Sequence, residues 1–195
     1  MKRSNGFTLV EMMIVMAIGT LLIVAAAPSF RAMSMNNRMT GELTEIVSAL
    51  NLARMEALRR NRQVVLCASS NPTAATPSCK SSADKVGWED GWIVFADPNR
   101  NEILDAGEEL IRVNQGMGNG LIMERNGTET VKPFIAFAPS GGIAASSSGT
   151  FIICDDRGFA EASKITISFV GRIRSGDTSE ILNGDGDCPA PYDGS

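Results

Sequence analysis

"GFTLVEMMIVMAIGTLLIVAAAPSF", residues 6–30, holds no Lys or Arg and a single acid, Glu11. As a helix rising about 1.5 Å per residue, Phe7 to Ala27 spans roughly 31 Å, enough to cross the hydrocarbon core of a bilayer. A carboxylate in lipid costs on the order of 3 kcal/mol even on lenient insertion scales, so Glu11 requires a partner. With no cation inside the stretch, that partner is expected from outside, and the free amino terminus of a neighbouring copy would serve. Ahead of the run, "MKRSNG" sets Lys2 and Arg3 where the positive-inside rule holds the N-terminus in the cytoplasm and exports the rest. A secretory signal would be cut after its apolar region. Here Ala25 to Ala27 lead into Pro28 and the amphipathic pattern continues, so the cut is expected before the apolar run.

Outward from Arg31 the period stays helical. Met39, Leu43, Ile46, Leu50, Ala53 and Ala57 form one apolar stripe, with Thr44, Glu45, Ser48, Asn51 and Arg59 away from it, and the helix is expected to reach about Asn61. Pro28 deletes a backbone donor, which predicts a kink or melted turn near Ala25. Beyond Asn61 short β-branched runs alternate with Gly, Pro, Asn and Ser. The expected strands are Gln63–Ala68, Gly91–Ala96, Glu109–Val113, Leu121–Arg125, Pro133–Ala138, Thr150–Cys154 and Lys164–Val170. One long helix followed by these strands gives an α+β fold, with two small antiparallel sheets leaning on the helix. The expected organisation is a leader at 1–6, a membrane segment at 7–30, an amphipathic half-helix at 31–62 and a β-rich exported head at 63–195.

Composition excludes several function classes. The chain of 195 residues carries a formal charge of −4 and no histidine, which removes a generally basic nucleic-acid binder, His general bases and His metal ligands. No GxSxG elbow, P-loop or GxGxxG is present, so no catalytic residue and no cofactor is assigned and the chain reads as a non-enzyme. Cys67, Cys79, Cys154 and Cys188 form an even set in an exported head, with three possible connectivities. We take Cys67 with Cys79, closing a short loop for roughly 3 kcal/mol, and Cys154 with Cys188, pinning a Gly- and Asp-rich tail. Zinc is the rival reading, but there is no CxxC pair. Asp97, Asn99, Asn101 and Glu108 fall at positions 1, 3, 5 and 12 of a calcium-loop pattern, yet Glu102 replaces the glycine at position 6 and strands flank the segment. It therefore reads as a polar hairpin loop, and no metal is assigned. Trp88 and Trp92 read as packing residues.

"KITISFVGRIRSG", Lys164 to Gly176, is locally positive in an acidic head. Ile165, Ile167 and Phe169 alternate as an inward face, so Lys164, Thr166 and Ser168 point outward. Arg172 and Arg174 share that outward parity if the strand passes Gly171 unbulged, which starts the two guanidiniums about 7 Å apart. Such a pair can grip successive phosphates through bidentate donors. An Arg-x-Arg at a strand end also serves as a solvated edge that deters aggregation, and the tail from Ser175 to Ser195 is acidic. Arg54, Arg59, Arg60 and Arg62 form a second basic cluster, read as a solvated face or subunit contact.

The stretch "GFTLVE", Gly6 to Glu11, after a short basic leader and before a long apolar helix containing Pro28, resembles the N-terminal signature of type IV prepilins and pseudopilins. The resemblance implies cleavage after Gly6 by a prepilin peptidase, N-methylation of Phe7, and pairing of Glu11 with a terminal amine during assembly. "LNLARMEALRRNRQVVL", "GWIVFADPNRNEILDAGE", "FAPSGG" and "GRIR" narrow the likeness to the GspH/FimT branch of pseudopilins and minor pilins and extend it over most of the chain. That implies a pilin-like fold, other pilins as partners, an inner-membrane location with a periplasmic head, and later a place in a pilus. "GRIR" matches a GRxR motif implicated, in FimT-like members, in binding DNA during natural transformation. Carried over, it names Arg172 and Arg174, with Gly171 permitting the backbone geometry and Lys164 added from strand parity, and double-stranded DNA as partner. A GspH-like pseudopilin of type II secretion and a purely structural minor pilin are the alternatives.

Overall fold

The structure, a computed structural model, describes residues 7–81, 87–88, 90–117, 121–126, 133–144, 149–158 and 161–177. Two compact units divide the chain, Met1–Arg38 and Met39–Ser195. Helix α1, Leu9–Arg60, runs through Pro28 without the melted turn expected there. Its N-terminal part is long and apolar enough to cross a membrane, with a mean hydropathy of 2.4 over its most apolar window. Thr8 and Glu11 close its start as a capping box. The Thr8 amide donates to Glu11 Oε2 at 3.0 Å, and the Glu11 amide donates to Thr8 Oγ1 at 3.2 Å. The helix stops at Asn61, which takes φ 50°, a left-handed conformation that asparagine tolerates. The Arg62 amide donates to the Ala57 carbonyl and the Asn61 amide to that of Leu58, so the last turn's carbonyls are satisfied as in a Schellman motif.

The head carries two four-stranded antiparallel sheets. The first has β1 (Gln63–Ala68), β2 (Trp92–Asp97), β3 (Leu110–Asn114) and β5 (Phe134–Phe137) in the order β3-β2-β1-β5. The second has β4 (Leu121–Asn126), β6 (Gly149–Asp155), β7 (Ser163–Ile167) and β8 (Ile173–Asp177) in the order β4-β6-β7-β8. Every residue of β1 and β2 is buried, because the first sheet is covered on both faces. On one face Val64, Leu66, Trp92, Val94, Ile135 and Phe137 join the helix stripe of Ile46, Leu50, Ala53 and Ala57 and the inward residues Phe151, Ile153, Ile165 and Ile167 of the second sheet. On the other face Val65, Cys67, Ile93, Phe95 and Ala136 pack against Cys79 and Leu104. The Cys67–Cys79 disulfide holds that covering loop in place. Cys154 is disulfide-bonded too, while Cys188, its expected partner, lies outside the described residues. Trp88 and Trp92 are buried as expected, with Trp88 edge-on to Phe151 at 5.8 Å between ring centroids.

One expected strand is corrected. Lys164–Val170 is not a single strand: β7 ends at Ile167, the chain turns over Ser168–Gly171, and β8 returns antiparallel. Phe169, assigned to the inward face, is 74% exposed. The alternation of Ile165, Ile167 and Phe169 is real in sequence, but the strand pairing ends at Ile167, two residues before Phe169, so its side chain leaves the core.

Candidate functional site

The β7–β8 hairpin gathers the positive residues singled out from the sequence. The Ser168 amide donates to the Arg172 carbonyl at 3.0 Å and the Gly171 amide to the Ser168 carbonyl at 2.8 Å, so Phe169, Val170 and Gly171 form a three-residue loop. Such loops are a type I turn followed by a left-handed residue, here Gly171 at φ 74°. Directly paired residues of an antiparallel ladder share a face, and Thr166 pairs with Arg174 and Lys164 with Gly176. Arg174 therefore stands on the face of Lys164 and Thr166, as the parity argument required, but across a hairpin rather than along one strand. Arg172 and Arg174 are exposed, and among the described residues neither makes an ion pair. Lys164 is half-buried and already engaged, so it is not a free cation.

The loop is clamped to the rest of the head from below. Arg54, on α1, donates through Nε to the Gly141 carbonyl at 2.9 Å and through Nη2 to the Val170 carbonyl at 3.2 Å. The Ile143 amide donates to the Phe169 carbonyl at 2.9 Å. Gly171 approaches so closely that a Cβ there would lie 2.1 Å from the Gly141 oxygen. The "FAPSGG" segment is thus the seat of the turn: the Ala138 amide bonds the Gly142 carbonyl and the Gly141 amide bonds the Ala138 carbonyl, presenting Gly141 O to Arg54. No sequence pattern announces this, since Arg54 and Val170 are 116 residues apart.

In the second basic cluster Arg54, Arg59 and Arg60 are engaged, while Arg62 is exposed and makes no ion pair among the described residues. Arg54 is spent on the two carbonyls. Arg59 pairs with Glu56 at 2.6 Å, and Arg60 is shared between Glu56 and a bidentate contact with Glu109. The Arg59 and then the Arg60 guanidinium hold the Glu56 carboxyl down at about 2. At the calcium-like segment Asp97 is fully buried. It accepts the amides of Arg100, Asn101 and Glu102 and the side-chain amide of Gln63, so it is an internal brace for the loop. Asp105 accepts Asn99 and Asn101, both at 2.7 Å, which lowers its carboxyl below the ordinary range. Among the described residues no three acid or cysteine side chains are placed to hold a metal ion.

Glu11 has a local partner that sequence reasoning overlooked. Beyond the Thr8 amide, the Thr8 hydroxyl also donates to Glu11 Oε2, at 3.1 Å. The T-x-x-E spacing was the available signal. Gly6 lies outside the described residues; Phe7, Arg172, Arg174 and Gly171 lie within them.

Residues 42–171 match the family described as type II transport protein GspH, and residues 1–27 match the prokaryotic N-terminal methylation motif. Two fimbrial proteins of Pseudomonas aeruginosa are each 36% identical over 73 residues, 37% of this chain. The chain spans about half the length of these curated relatives, 47%. Two crystal forms of the type IV minor pilin FimU of P. aeruginosa PAO1, P21 and P65, share the fold with TM-scores of 0.53 and 0.52 at 18% identity. They cover 82% and 79% of this chain and 98% and 100% of theirs.

Proposed function

The chain belongs to the GspH family of pseudopilins and minor pilins, and on that premise we propose that it is a non-catalytic minor pilin of a type IV pilus that binds DNA through the β7–β8 hairpin. In this reading the leader 1–6 is removed by a prepilin peptidase after Gly6, and Phe7 is methylated. The apolar helix anchors the chain in the inner membrane with its head in the periplasm, and then packs among other pilin helices. Glu11 exchanges its Thr8 contacts for a neighbour's terminal amine as that packing forms. The likeness to fimbrial proteins of P. aeruginosa favours the pilus. The GspH match favours the alternative, a pseudopilin of type II secretion.

The observation that carries the DNA assignment is the pair of exposed arginines, Arg172 and Arg174, carried by a clamped hairpin without an ion-pair partner among the described residues. Arginine suits phosphate because its planar fork donates two parallel bonds. Titrating the full-length chain in detergent micelles with duplex DNA at two salt concentrations tests it. Affinity is expected to fall with salt, and Arg172→Ala/Arg174→Ala is expected to abolish most binding and flatten the log–log salt slope by about 2. Equal binding by the double variant refutes the assignment and leaves a structural subunit.

A further inference from the structure

The tip of the hairpin carries a feature that phosphate gripping leaves unused. Phe169 is 74% exposed and Val170 69%, at the two leading positions of the turn. Nothing in the turn requires apolar side chains there, since such positions favour Pro, Asp, Asn and Ser. Their main chain, in contrast, is fixed. The Phe169 carbonyl accepts from Ile143, the Val170 carbonyl accepts from Arg54, and Gly171 is seated on Gly141. The carbonyls point into the head and the rings and methyls point out. A rigid backbone displaying an aromatic ring loses little conformational freedom on binding, so contact area converts to affinity with small ordering cost. The neighbouring face is polar and positive, with Thr166, Arg172 and Arg174. An exposed apolar ring on the same hairpin as two exposed guanidiniums that make no ion pair among the described residues fits a ligand that offers flat apolar surfaces strung along an anionic backbone.

We propose that this tip takes DNA with exposed bases, stacking one base on the Phe169 ring while Arg172 and Arg174 hold the adjoining phosphates. The inference rests on the DNA reading above and narrows it from any duplex to single strands, gaps and frayed ends, where a base face is free. Aromatic stacking combined with a cationic groove is the general solution for single strands, and it is tolerant of sequence because every base has a flat face. In a closed duplex the base faces are covered and only the phosphates remain for the arginines.

The test uses the full-length chain in detergent micelles with three fluorescent probes: an oligothymidylate, an abasic strand of equal length and a relaxed closed-circular duplex. Phe169→Ala is expected to weaken binding of the oligothymidylate roughly tenfold, leave the abasic strand and the duplex unchanged, and leave the salt slope unchanged. Phe169→Trp is expected to restore it. Arg172→Ala/Arg174→Ala is expected to weaken all three. Because Phe169 is exposed, both Phe169 variants should keep the wild-type unfolding midpoint, which excludes misfolding as the cause. Unchanged oligothymidylate affinity in Phe169→Ala, with binding still lost in the arginine variant, overturns the stacking contact and spares the DNA reading. An equal loss on the abasic strand or the duplex also overturns stacking. No binding of any probe by the wild type overturns both readings. Normal DNA affinity with poor filament incorporation of Phe169→Ala would make the tip a subunit contact and overturn the proposal.

Discussion

Gly171→Ala tests whether the hairpin is held by its backbone seat or merely rests on it. An alanine at φ 74° costs about 1 kcal/mol for the left-handed conformation alone. Its methyl would also stand 2.1 Å from the Gly141 oxygen, where contacts below 3.0 Å are essentially never found, so oxygen and methyl must part by about 1 Å. The Gly141 oxygen is the acceptor for Arg54 Nε at 2.9 Å, and Arg54 is itself 3.1 Å from the new methyl. Relief of the clash therefore breaks a hydrogen bond from a charged donor, worth about 1.5 to 3 kcal/mol. Together the substitution should destabilise the head by on the order of 3 to 4 kcal/mol, or lower its melting midpoint by roughly 10 °C. Both tryptophans, Trp88 and Trp92, are buried in the head, so urea unfolding followed by their fluorescence reports it. The control is Gly107→Ala, at φ 95° with nothing within 4 Å of the added methyl, which should cost about 1 kcal/mol. If the two alanines cost the same, the Gly141 contact does not hold the turn and the clamp argument fails.

Three further outcomes follow from the same contacts. Glu56, with an ordinary value of 4.5, is held down at about 2 by Arg59 and Arg60, so its ionised form stabilises the fold. That contribution is complete above about pH 4.5 and is lost as pH falls toward 2; Glu56→Gln should flatten this part of the acid unfolding curve, and an unaltered curve would contradict it. Cys67→Ser/Cys79→Ser opens a loop of sequence separation 12 and should cost roughly 3 kcal/mol in urea unfolding, with a cost under about 1 kcal/mol showing that the covering loop stays put unaided. Glu11→Gln keeps a capping-box side chain while removing the charge, whereas Glu11→Ala removes both. If amine pairing drives assembly, both variants should incorporate poorly into filaments; normal incorporation of Glu11→Gln would reduce Glu11 to a helix cap.

The long helix and the first sheet were legible because their signals are local and repeated. The stripe from Met39 to Ala57 has the helical period and is the buried face, and Gln63–Ala68 is a mostly apolar run, with the β-branched pair Val64 and Val65, that becomes a strand buried on both sides. Asn61 marks the stop through its tolerance of positive φ. What escaped are contacts between distant segments and changes of direction within an unbroken pattern. Period-2 alternation carries on through Phe169, so no apolar signal marks where β7 ends; Gly171 was the one clue, and its meaning depends on Gly141 lying beneath it. Asp97 shows the same limit from the other side. Its spacing to Asn99, Asn101 and Glu108 matched a cation loop. An acid at the end of a buried strand, however, must satisfy its oxygens, and the amides of Arg100, Asn101 and Glu102 do so at 2.7, 3.2 and 3.0 Å.

That requirement to satisfy charge also separates the two basic clusters. Arg59 and Arg60 lie on a helix next to Glu56 and opposite Glu109, so their charge is paired at the surface of the head, and Arg54 is consumed by the carbonyls of Gly141 and Val170. Those bonds place Arg54 in the service of the hairpin. Its guanidinium fixes the turn whose far side displays Phe169 and whose returning strand carries Arg174. Positive charge in the sequence thus divides by role. Arg54, Arg59 and Arg60 build the platform, and the hairpin arginines, which like Arg62 no acid among the described residues reaches, are exposed. Phe169, Arg172 and Arg174 stand exposed on one clamped hairpin, and for that reason the hairpin is where binding should be sought first.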